Sequence, residues 1–378
     1  MKPPTRRTVC IAAAGFAASW PGLGRAATKA APAPGAVIAG VLLPLTGAYA
    51  LTGDECLRGI QLAAEAVSAV GGRALTLVTG DAADQGTAQA AAQNLIAQGN
   101  AALLLGTGAS VLSYPGSAAA ELAQIPYIEL TAPADGITTR GFKDLLRTGP
   151  TTSMIAAVAT AAMAQHFAGK KVGLLFNTGA TGGAIAAAVL SVWAQAKTPP
   201  LISIGYPEDA VDLNDEAGRL RRAGAEVILH AAGPADVLMF FSALSNAGWQ
   251  PSVLGCGEGY AQRETAYTLG AAFDGTLAVG APFYPARAAY IADAYQARFG
   301  MPPRAAESLT AFVGAKLVFD ILNAVGGDTT KLLDALRKTD VAAGTLANGF
   351  GVSFDKTGQN TRSFAVLQQW RGGILTAL

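Results

Sequence analysis

Histidine is nearly missing from this chain: only His166 and His230 occur in 378 residues. Neither has a partner at a metal-ligand spacing such as H-x-x-x-H, so each is expected to be structural and no metal site is implied. Cysteine is as scarce, with Cys10, Cys56 and Cys256 alone. Three thiols exclude a disulfide scaffold. Cys10 lacks the small-residue context of a lipid-anchor site. Cys56 and Cys256 allow one bridge, but free or buried thiols are the favoured reading, since spacing alone does not bring two Cα atoms within bonding distance.

Charge is sparse too. Lys and Arg number 27 and Asp and Glu 26, a net +1, which gives no electrostatic case for a nucleic-acid or anionic-membrane partner. Catalytic signatures are also lacking. There is no G-x-S-x-G elbow, no G-x-x-x-x-G-K-[ST] loop and no zincin helix.

What the chain has is apolar sequence in order. Hydrophobic residues make up 51% and charged ones 14%, which excludes disorder, and the length allows two domains with cores of their own. Residues 1–26 read as an export signal. Lys2, Arg6 and Arg7 precede an uncharged Ala/Gly-rich run, and Gly24 and Ala26 are small residues spaced for cleavage after Ala26. The run is too short and weakly apolar to span a membrane. Arg6-Arg7 fits a twin-arginine route, and the ordinary secretory route stays open. Cleavage there leaves 23 Lys and Arg against 26 Asp and Glu, a net −3. Residues 27–35 read as a flexible lead-in.

Short apolar runs then alternate with helical patterns. Strands are expected at 36–44, 74–80, 101–106 and 125–130, with helices near 54–70, 85–98 and 110–123. A second series follows: helices at 152–167, 182–196, 212–223 and 235–247 among strands at 171–176, 201–206, 225–230, 252–256 and 276–280. Continuous apolar strands between helices imply buried parallel sheets, and two such series imply two doubly wound α/β lobes. The tail differs, with helices near 286–299, 305–324 and 329–338 and strands at 350–354 and 363–370. No clean linker separates the halves, as repeated crossing between two lobes would produce.

Two Gly-rich strand-to-helix turns raise a nucleotide reading. Gly179-Ala180-Thr181-Gly182-Gly183 has the wrong spacing for G-x-G-x-x-G. Gly106-Thr107-Gly108-Ala109-Ser110-Val111 lacks the third glycine, although Glu129 stands where a ribose-binding acid belongs. The same helix N-termini, with Ser110 or Thr181 as local hydroxyls, suit a carboxylate equally well. Ligands of open α/β sheets sit beyond the carboxyl ends of the strands, which places Ser110, Glu129, Thr131, Thr181 and Glu258 at ligand-facing positions.

The segment GVLLPLTGAYALTGDECLRGIQLAAEAVSAVGG (40–72) resembles the opening of type I periplasmic solute-binding proteins of ABC transporters, in the branch that includes the leucine/isoleucine/valine receptors. Further matches follow in order: Asp81 and Asp84, GTGAS (106–110), RTGPTTS (147–153), GCGEGY (255–260), AYQARFGMPPRAAESLTAFVGAKLV (294–318) and GVSFDKTGQ (351–359). The resemblance covers nearly all the mature chain. It implies two α/β lobes joined by three crossovers, lobe one being about 36–149 plus 281–342 and lobe two about 150–280 plus 343–378.

It also implies a site. Ser110 matches the serine that holds the ligand carboxylate, and Thr131 and Ala132 fall on the segment that adds backbone and hydroxyl contacts. Glu258 matches the acid that takes the ligand amino group. Three positions depart from the pattern: Pro133 replaces a hydroxyl residue, and Thr181 and Thr52 replace pocket aromatics, which Tyr49 or Tyr260 would compensate. Glu129 adds a second acid, either a ligand group beside Glu258 or a strand-end or helix-cap acid; the ligand alternative favours a ligand with a cationic amine. The expected function is capture of a small solute (amino acid, amide or small organic acid) in the periplasm by a monomer, and delivery to a membrane permease, with no cofactor. The alternatives are a sensor of the same fold, which needs a signalling segment or membrane span, and an exported enzyme using Glu129 and Glu258, for which the sequence offers no nucleophile.

Overall fold

The structure, a computed structural model, describes residues 36–378. The expected export signal and lead-in lie outside the described residues. The first lobe begins with a strict strand–helix alternation: β1 (Val37–Leu43), α1 (Ala50–Ala69), β2 (Leu75–Asp81), α2 (Gln85–Ala97), β3 (Leu103–Gly106), α3 (Ser110–Ala123), β4 (Tyr127–Glu129) and β5 (Leu145–Arg147). The five strands form one parallel sheet in the order β2-β1-β3-β4-β5. Local chemistry sets the helix starts. Asp84 accepts from Thr87 N at the head of α2, and the Thr87 hydroxyl pairs back to Asp84 N, closing a reciprocal cap.

The chain then crosses to the second lobe: α4 (Thr152–His166), β6 (Val172–Asn177), α5 (Gly182–Ala196), β7 (Ile202–Tyr206), α6 (Asn214–Ala223), β8 (Val227–Ala231), α7 (Pro234–Asn246), β9 (Ser252–Cys256), α8 (Arg263–Leu269) and β10 (Leu277–Gly280). It returns to the first lobe for α9 (Ala289–Phe299), α10 (Ala306–Ala324) and α11 (Leu332–Arg337), then ends in the second with β11 (Val366–Arg371) and β12 (Ile374–Ala377). The second sheet runs β12-β11-β10-β9-β8-β6-β7, with only β11 and β12 antiparallel. The expected α/β architecture of two doubly wound lobes and three crossings is what the chain adopts.

Three elements escaped the sequence: β5, α8 and β12. Residues 350–354, expected as a strand, make only isolated bridges, Val341 with Val352 and Phe354 with Asn360. Gly349 and Gly358, at φ +91° and +84°, turn the chain on both sides.

Each sheet carries helices on both faces. In the first lobe Val41, Leu105 and Ile128 pack with α1, α9, α10 and α11, while Leu42, Leu104 and Tyr127 face α2 and α3. Val352 is buried in the first of these clusters, with Leu346, Ala347 and Phe354 against it. Ala365 is the next buried apolar side chain in a second-lobe cluster, so packing changes lobes between Val352 and Ala365 rather than at residue 342. α1 and α10 touch backbone to backbone: a Cβ on Gly59 would lie 2.2 Å from Ser308 O.

Candidate ligand site between the lobes

A cavity of about 50 Å³ lies where the crossings meet, lined from the first lobe by Thr131, Pro133 and Glu307 and from the second by Ile155, Glu258 and Val279, among others. Two larger grooves, about 580 and 740 Å³, open on the outer face of the second lobe near His166 and Trp193. Neither takes residues from both lobes or contains a buried acid without a partner.

Glu258 enters the cavity because of the residue before it. Gly257 has φ +117°, and a Cβ there would stand 2.0 Å from Ala232 O, so the turn after β9 admits only glycine. Glu258 is 7% exposed, and neither carboxylate oxygen has a hydrogen-bond partner. Burial pushes its pKa up to about 7. Facing it from the first turn of α10 is Glu307, whose Oε2 is also buried and unpartnered. Burial, then the nearby Glu258, push Glu307 up to about 8. Sequence reasoning missed Glu307 because an acid in a helix's first turn reads as a complement to the helix dipole.

Glu129, the expected second acid, is not a cavity group. It is fully buried, and its carboxylate accepts from Thr107 N (2.8 Å), Leu130 N and Ala132 N (3.0 Å), Thr131 N (3.2 Å) and Ser113 Oγ (2.6 Å). The loop after β4 wraps around this anion, which satisfies a buried charge internally. The pairing of Glu129 with Glu258 is therefore corrected: the two acids that share the cavity are Glu258 and Glu307.

The remaining expected residues divide. Thr131 lines the cavity, and its hydroxyl lies 3.4 Å from Cys56 Sγ. The N–H groups of Thr131 and Ala132 are both engaged by Glu129. Ser110 opens α3, fully buried, and its Oγ accepts from Ala134 N at 3.1 Å. Thr181 is the buried N-cap residue of α5 and does not line the cavity. Thr52 is buried at the lobe junction, where Gln262 of the second lobe donates to its hydroxyl at 3.3 Å.

The two tyrosines part company. Tyr49 lies between the lobes in an outer pocket of about 320 Å³, with Asp84, Asn177, Glu208 and Asp236. Burial raises its pKa, and the charges of Glu258, Glu208 and Asp236 raise it further. Tyr260 points away, into the second-lobe core. It stacks on Phe273, and its hydroxyl pairs with His230 Nδ1 at 2.6 Å. It is thus no substitute for a cleft aromatic. His230, held also by Tyr206, is driven by burial down to about 3 and stays neutral. Cys56 and Cys256 are free and buried.

An acid of the chain lies at each Gly-rich turn. Glu129 takes the Thr107 N–H in the first, and Glu208 lies so close to Gly179 that a Cβ there would stand 1.7 Å from its Oε1. Among the described residues no cluster of His, Cys, Asp and Glu is arranged to hold a metal ion.

Two α/β lobes, a chain that crosses between them three times and a cavity built from both, with two acids in a largely apolar lining, define a two-lobed solute-binding protein. The periplasmic binding protein pattern matches residues 37–373. The chain is 33% identical over 370 residues to a Leu/Ile/Val-binding protein homolog (number 7) of Brucella suis, covering 92% of each. Two solved folds are similar. The branched-chain amino acid transporter substrate-binding protein of Streptococcus pneumoniae, in complex with isoleucine, has a TM-score of 0.80 at 18% identity, over 90% of this chain and 98% of that one. A solute-binding protein from R. palustris in complex with benzoate has 0.77 at 21% identity, over 91% and 95%. This chain belongs to the periplasmic binding protein family, whose members bind and transport rather than catalyse.

Proposed function

We propose that the protein is the exported capture component of an ABC importer: it encloses a small polar solute between its lobes and presents the closed form to a membrane permease. The observation that carries this reading is Glu258, a buried acid without a partner in a cavity built from both lobes. A group left unpaired in this way costs stability unless something pairs with it. The cavity is small in this arrangement, about 50 Å³, and a solute is proposed to enter and be seated through movement of the lobes. Contacts such as Gln262 to Thr52 then form on closure, and a solute that touches both lobes biases the closed state. The lobes are proposed to comprise 36–149 with 281 to about 362, and 150–280 with the remaining C-terminal residues. The relatives' names and the two complexes above support a solute in the range of branched-chain amino acids and small organic acids, and the cavity's own chemistry narrows it below.

The test is a thermal-shift screen of residues 27–378, stripped of ligand, against amino acids, amides, amines, small carboxylic acids and nucleotides. Stabilisation by a small solute, without turnover of it, is the expected result. Stabilisation by nucleotides alone, or steady turnover of the bound compound, overturns the reading.

A further inference from the structure

We propose that the solute is a small organic cation, an ammonium or amidinium group on a compact apolar body, and that it carries no carboxylate. This rests on the solute-binding reading above and narrows it. Two acids with unpartnered buried oxygens face the cavity, Glu258 from the second lobe and Glu307 from the first. Among the described residues, no Lys, Arg or His lines the cavity or the outer pocket. That separate pocket between the lobes also carries acids, Asp84, Glu208 and Asp236. The charge of a cation in the cavity answers both inner acids.

The backbone donors of the loop after β4 that a carboxylate would need are occupied. Thr131 N–H and Ala132 N–H hold Glu129, Pro133 has no N–H, and Ser110, whose Oγ accepts from Ala134 N, does not line the cavity. The buried guanidinium of Arg147 pairs with Gln359 Oε1, Ala134 O and Ala132 O, and does not line the cavity. A zwitterion would therefore bring its carboxylate into a space with two acids and no free base. Apart from Thr131 and Thr310, the rest of the lining, including Pro133, Pro150, Ile155 and Val279, is apolar and suits a hydrocarbon body. Because the two acids sit on different lobes, one cation between them ties the lobes together.

The experiment is titration calorimetry at pH 8 on residues 27–378 with a matched series: leucine, leucinamide, 3-methylbutylamine (leucine without its carboxylate), 3-methylbutanamidine and 4-methylpentanoate (leucine without its amine). The amine or the amidine is expected to bind at least tenfold more tightly than leucine, and 4-methylpentanoate not at all. Glu258→Gln and Glu307→Gln, each folded by circular dichroism, are expected to weaken the cation at least tenfold. Tighter binding of leucine or 4-methylpentanoate than of either cation overturns the inference and leaves the solute-binding reading standing. Binding by no cation of the series also overturns it. Both readings fall together only if nothing in the wider screen binds either.

Discussion

At the scale of single residues, the molecule uses its few buried acids in opposite ways. Glu129 is wrapped by backbone N–H groups and hydroxyls, whereas Glu258 and Glu307 have unsatisfied oxygens. Removing the wrapped acid leaves several buried donors without an acceptor. Glu129→Ala is expected to cost about 3–5 kcal/mol, the scale for breaking a buried charged network, read as a lower urea midpoint at unchanged slope. A loss under 1 kcal/mol would show that the loop closes without its anion. The cavity acids act through pH. Their folded pKa values, about 7 and about 8, lie above the ordinary 4.5, so the native state holds protons the unfolded chain has released. Their stabilisation is complete below pH 4.5 and is lost as pH rises through 7 to 8. The Glu258→Gln/Glu307→Gln protein should therefore gain melting temperature over the parent progressively between pH 5 and 8.5. A difference that does not vary with pH would mean that the two acids do not titrate in this range.

At the scale of elements, one tight constraint is the contact of α1 with α10. Gly59 admits Ser308 O where any side chain would collide. Gly59→Val is expected to destabilise by roughly 1–3 kcal/mol, the usual cost of overpacking, measured by denaturant unfolding; a neutral result would show that α10 shifts freely. That matters for function because α10 carries Glu307 in its first turn. A displaced α10 should also weaken solute binding in calorimetry, although Gly59 does not line the cavity. The turn after β9 makes the same link: Gly257 sets the direction in which Glu258 points.

At the scale of the whole molecule, the lobes meet through a few polar contacts, which are proposed to form on closure. Gln262 Nε2 donates to Thr52 Oγ1, and Arg304 of the first lobe reaches Glu264 of the second at 3.5 Å. Glu264 is 44% exposed, so its pairing contributes little to folding. Its effect is expected on the balance of open and closed forms instead. Thr52→Val with Glu264→Gln should weaken solute affinity by about two- to tenfold, with a melting temperature for the ligand-free protein within about 2 °C of the parent. Small-angle scattering should show a smaller radius of gyration on solute binding in the parent and a higher solute requirement in the variant. Scattering that does not change with solute would exclude hinge closure.

The sequence by itself determined the lobes, because alternation of buried apolar strands with helices is a local pattern that survives without knowledge of contacts. It also placed Glu258, since a Gly-rich turn at the carboxyl end of a strand is legible one residue at a time. It did not decide which acids meet. Glu129 and Glu307 both looked plausible or unremarkable along the chain, and they differ only in what surrounds them. Glu129 lies two residues before the Ala132 N–H's neighbour Thr131, so its own loop folds back on it. Glu307 comes 49 positions after Glu258 and reaches the cavity only because the chain crosses back to the first lobe. Tyr260 was misjudged for the same reason: a short turn in the sequence does not reveal that its ring faces the core while the adjacent Glu258 faces the cavity. Charge pairing and side-chain direction depend on distances through space, and only the tertiary structure sets those.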